Sequence, residues 1–188
     1  MLTILTLLNL VWIPGQTAAP DPQAAALTRE VAAMGWVAYS GRGEGGTWDV
    51  FLCRPDGSAV RNITATAGFE EVAPRFSPDG SKLLFRRMEQ GSVVDHDRWG
   101  FQGVLMLANA DGGNARALGE DSELPWASWS PEGGKIACLT LKGIQIHSLA
   151  TLEQTRQMPR NGIYQQLCWS PDGKWFCGVA NHQGAQWT

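Results

Sequence analysis

The 188 residues carry a net charge of −3 and no basic cluster, which argues against a nucleic-acid partner. Apolar side chains make up 44% of the chain, enough for one domain with a sizeable core. Nine tryptophans, 22 glycines and 10 prolines, with almost no helix-period pattern, exclude a helical bundle and favour an all-β fold.

The chain opens on an apolar stretch from Met1 to Ile13, broken at Pro14-Gly15 and followed by the small residues Thr17-Ala18-Ala19. That stretch is short for a bilayer span but suits a secretory signal over residues 1–19, cleaved near Ala19. A periplasmic or otherwise extracytoplasmic location is the expectation. Left uncut, the same segment would hold the chain close to a membrane. Residues 20–34 read as a Pro/Ala-rich linker with a short helical turn from Ala24 to Val31.

From there the chain reads as short strands. Residues 35–65 supply Trp36–Ser40, a Gly-rich loop, Trp48–Cys53, the turn Arg54-Pro55-Asp56-Gly57 and a short strand from Val60 to Thr64. Residues 69–119 supply a complete set of four, with a long connection from Arg87 to Gly100 and a second Asp-Gly turn at Asp111-Gly112. Residues 124–159 and 163–188 begin two further sets.

Three of these sets share one turn. Phe76 precedes Ser77-Pro78-Asp79-Gly80, Trp129 precedes Ser130-Pro131-Glu132-Gly133, and Trp169 precedes Ser170-Pro171-Asp172-Gly173. Each turn leads through a lysine into an apolar run. Proline presets φ for the first central position, aspartate bonds its own backbone, and glycine takes the positive φ that closes a hairpin. The serines are 53 and 40 residues apart, and the surplus lies in the connection after Arg87. A period of about 40 residues matches four-stranded blades arranged radially. Consecutive apolar residues such as Leu83-Leu84-Phe85 suit sheets covered on both faces.

On these residues the chain resembles the WD40-like PD40 repeats of TolB-like β-propellers, over about Trp36 to Ala180. The expected fold class is all-β, a partial β-propeller of about three to four four-stranded antiparallel blades. Because blades lean on their neighbours, two accounts of the open arc arise. Either further blades lie outside this sequence, or another chain completes the ring. The resemblance implies an exported, non-catalytic scaffold that binds a protein or a small ligand. The alternative is the propeller portion of a larger enzyme, such as a prolyl-oligopeptidase-like serine peptidase. A lyase of the oligogalacturonate type would need a His/Gln metal cluster that this portion does not show.

No nucleophile elbow, His-Glu-x-x-His motif or phosphate-cradling loop occurs, so no catalytic residue and no cofactor is assigned. Asp95, His96 and Asp97 are a weak metal-ligand candidate in the long insertion, where hard oxygens and an imidazole alternate. His147 and His182 read as packing or surface residues. Propeller ligands meet the connections that enter the innermost strands. Glu70, Glu71, Glu123, Tyr164 and Gln165 are therefore the candidate binding rim. The four cysteines lack metal-ligand spacing and read as buried strand residues. Cys168 and Cys177 flank one hairpin, where export would permit a disulfide; the sequence leaves that open.

Overall fold

Thirteen short strands and one helix make up the computed structural model, which describes residues 21–94, 102–121 and 123–180. The expected signal over residues 1–19, the candidate ligands Asp95, His96 and Asp97, and His182 lie outside the described residues. Helix α1 (Pro22–Ala32) starts where Asp21 caps the Gln23 amide at 3.0 Å and Pro22 presets the first turn. None of its residues is buried. It is longer than the short turn the linker composition suggests.

Four antiparallel sheets follow in chain order, each strand pairing with its sequence neighbour. The first holds β1 (Val37–Arg42), β2 (Trp48–Cys53) and β3 (Arg61–Asn62). The second holds β4 (Phe69–Phe76), β5 (Lys82–Glu89), β6 (Val104–Asn109) and β7 (Arg116–Asp121). The third holds β8 (Ser128–Trp129), β9 (Lys135–Thr140), β10 (Gly143–Ser148) and β11 (Gln154–Met158). The fourth pairs β12 (Ile163–Trp169) with β13 (Phe176–Ala180). The all-β, partial-propeller expectation holds, and among the described residues the sheets do not close into a ring.

The core lies between successive sheets, which is why so many strands are apolar on consecutive positions. Val50 of the first sheet packs with Leu83, Phe85 and Met106 of the second. From the opposite face of β5, Leu84 joins Leu105 and Leu118 against Trp129, Ile136 and Cys138 of the third. Ala137, Leu139, Ile144 and Ile146 then meet Leu167, Trp169 and Phe176 of the fourth. One strand thus feeds two interfaces by alternating its side chains.

The repeated turn has the same hydrogen bonds in all three copies. The amides of Gly80, Gly133 and Gly173 donate to the carbonyls of Ser77, Ser130 and Ser170 at 2.9, 2.9 and 3.0 Å. Those glycines have φ of 70°, 74° and 72°, the left-handed region the motif requires. Each serine Oγ accepts the amide five residues on, from Lys82, Lys135 and Trp175 at 2.9, 3.0 and 3.0 Å. Neighbouring turns also touch, since a Cβ on Gly133 would meet Pro78 at 3.8 Å and one on Gly173 would meet Pro131 at 3.8 Å. The motif therefore lines one end of the arc as a continuous row.

Candidate functional site

Strand direction sorts the loops. With the motif hairpins at one end, the turn between the second and third strand of each full blade lies at the other, beside the connections from sheet to sheet. All five candidate rim residues are at that second end, but they do different things. Glu70 is buried; its Oε2 accepts the Trp48 amide at 2.6 Å and its Oε1 accepts the Gly91 amide at 3.2 Å. It ties the first sheet to the loop after β5. Glu71 has a fully buried side chain and accepts from Arg87 at 2.8 Å, while Arg87 also reaches Thr66. Both glutamates serve the joint between sheets one and two and present little to solvent.

Glu123 and Tyr164, 41 residues apart, line one cleft of about 640 Å³. Its walls are the connection Glu123–Trp126 entering β8, the β9–β10 turn at Leu141 and Lys142, Arg160 on the way into β12 and Tyr164 near the start of that strand. Leu139 and Trp126 make its apolar surface, and Leu141 stands at the lip with 94% exposure. The Glu123 carboxylate also accepts the Glu120 amide at 2.7 Å, which holds the loop that carries it. Gln165 lies outside this lining, half-buried in register with Val179.

His147, read from sequence as a packing or surface residue, lines the same cleft. Its Nδ1 is 3.1 Å from the Leu152 carbonyl, which can only accept, so the proton sits on Nδ1 in the neutral ring. Nε2 is then an acceptor, buried and without a hydrogen-bond partner among the described residues. The signal for Leu141 was present in the sequence, as a large apolar residue beside Lys142-Gly143 at a hairpin tip. His147 had none, because strand alternation assigns a face but not a cleft.

Arg86, buried, and Arg75 line a small neighbouring pocket with Ala73, Leu84 and Trp126. Arg86 donates to the carbonyls of Gly103 and Leu124, so it fastens the second sheet to the connection that forms one wall. Arg75 is half-buried, and burial pulls its guanidinium down from the usual arginine range. Among the described residues no group of three or more His, Cys, Asp or Glu side chains is placed to hold a metal ion.

The innermost strands share a feature that no motif announces. Ala73, Trp126 and Gln166 each stand four residues before the motif serine, with φ of 57°, 51° and 55°. Pairing slips between Val72 and Arg75 and between Gln165 and Cys168, so in β4 and β12 this residue is a bulge beside the rim.

No protein-family model matches the chain. The Tol-Pal system protein TolB of Alcanivorax borkumensis is 36% identical over 140 residues, covering 70% of this chain and 31% of that one. The chain therefore spans about a third of the length of this relative. Crystalline TolB from Acinetobacter baumannii superposes with a TM-score of 0.60 at 19% identity, covering 77% of this chain and 36% of that one. An oligogalacturonate lyase from Vibrio parahaemolyticus superposes at 0.56 with 12% identity, covering 81% and 44% respectively, a likeness of fold alone. With the repeated turn, the radial sheets and this likeness together, the chain is an arc of a TolB-like β-propeller.

Proposed function

We propose that the chain is an exported, non-catalytic propeller portion that binds a segment of a partner protein at the cleft end of its blades. The observation that carries this is the cleft itself, where an almost fully exposed Leu141 borders an apolar wall flanked by Glu123 on one connection and Arg160 on the next. Apolar anchoring with a few polar contacts is how such clefts take a peptide segment. Similarity to a Tol-Pal system protein makes a component of that kind of assembly the first partner to try, in the periplasm, with residues 1–19 as the export signal.

The test is calorimetric titration of the purified chain with each purified Tol-Pal component from the same organism. The expected result is saturable binding to one of them, weakened at least about tenfold by Leu141→Glu while circular dichroism stays unchanged. Absence of binding to every component, or full affinity in Leu141→Glu, would refute the reading.

A further inference from the structure

Strands β12 and β13 place Cys168 directly opposite Cys177. Opposed residues of an antiparallel pair share a face, with Cα atoms about 4.5–5.5 Å apart, inside the about 4.4–6.8 Å that a disulfide spans. The adjacent pair, Trp169 and Phe176, keeps the same register and packs its rings 4.7 Å apart, so the hairpin holds the two cysteines in place. Both cysteines are exposed, and the Cys168 Sγ lies 3.6 Å from the Trp169 carbonyl oxygen. Burial and then the neighbouring Cys177 push the Cys168 thiol up. The other two cysteines stand elsewhere: Cys138 is buried between sheets two and three and its thiol is pushed up to about 12, while Cys53 ends β2 in the first sheet.

We infer that Cys168 and Cys177 form a reversible cross-strand disulfide that staples the β12–β13 hairpin whenever the chain meets a disulfide oxidant. With oxidised glutathione as that oxidant, one cysteine thiolate attacks a glutathione sulfur, forms a mixed disulfide and expels one glutathione thiolate. The second cysteine loses its proton to solvent and attacks the protein sulfur of the mixed disulfide, expelling the second glutathione thiolate. Two cysteine thiols are oxidised to one disulfide, and one glutathione disulfide is reduced to two thiols. Exposure leaves the bond open to reduction by the same exchange run backwards. The loop it closes contains the Ser170-Pro171-Asp172-Gly173 turn, so the bond restricts the unfolded hairpin.

The test equilibrates the full chain with excess oxidised or excess reduced glutathione, quenches with N-ethylmaleimide and maps the peptides by mass spectrometry. In the oxidised sample a Cys168–Cys177 linked peptide is expected, lighter by two hydrogens, together with a melting midpoint several degrees higher. Dithiothreitol should reverse both. Cys168→Ser and Cys177→Ser should each abolish the link and the shift, and Cys138→Ser should preserve them. Alkylation of both thiols after oxidation, glutathione retained on both, or linkage to any other cysteine would overturn the inference.

Discussion

Ser77, Ser130 and Ser170 each accept the amide that reopens the strand, and two of them also donate to the turn aspartate. Ser77 Oγ lies 2.6 Å from Asp79 Oδ1 and Ser170 Oγ lies 2.6 Å from Asp172 Oδ1. Hydrogen bonds from Ser77 and Ser81 hold the Asp79 carboxyl down at about 2. Because the folded value lies below the unfolded one, the contribution is present above about pH 4 and is lost as pH falls towards about 2. Thermal midpoints measured across that window should fall less steeply in Asp79→Asn than in the parent. In the third copy Glu132 replaces aspartate and instead pairs with Lys135 at 3.5 Å, across an exposed surface where little stability is gained. Glycine is needed at the last turn position, so Gly133→Ala should cost about 1–2 kcal/mol in urea denaturation.

At the scale of elements, the aromatic before the turn does two jobs. Trp129 is buried in the joint with sheet two, and its Nε1 donates to the Arg75 carbonyl at 3.1 Å, one blade back. Trp129→Phe keeps most of the packing and loses that bond, so a cost of about 1 kcal/mol is expected from chemical denaturation. In the second copy Phe76 has no such donor, and Trp169 turns its Nε1 to the Gly173 carbonyl within its own hairpin. The bulged inner strands make an opposite prediction. Gln166 is exposed with φ of 55°, a conformation glycine adopts without a Cβ penalty. Gln166→Gly should therefore raise stability by up to about 1 kcal/mol, measured as the shift in urea midpoint, although glycine within a strand is normally destabilising.

For the whole molecule, each sheet is completed by its neighbours, so damage at one interface should spread to both sheets that share it. Leu84, 1% exposed, sits in the joint between sheets two and three. Leu84→Ala should cost about 2–5 kcal/mol. Hydrogen exchange should then speed up in β9 as well as in β5, while β1 and β2 change less. Uniform acceleration in every strand would argue for one undivided cooperative unit.

The turn residues announced hairpins, their spacing announced blades, and the runs of consecutive apolar residues announced sheets buried on both faces. Those are local or periodic properties, carried by φ preferences and by the two-residue alternation of strands, so sequence alone determined them. Which rim residues share a cleft was not of that kind. Glu70 and Glu71 stand, like Glu123, where the chain enters an innermost strand, yet they are sealed into a joint between sheets while Glu123 meets Tyr164 across a gap. The pairing of Cys168 with Cys177 also waited on the register after the bulge at Gln166, and the positive φ at that position falls on alanine, tryptophan and glutamine alike. Only the packing of one sheet against the next decided these points, because burial and register depend on partners far away in the chain.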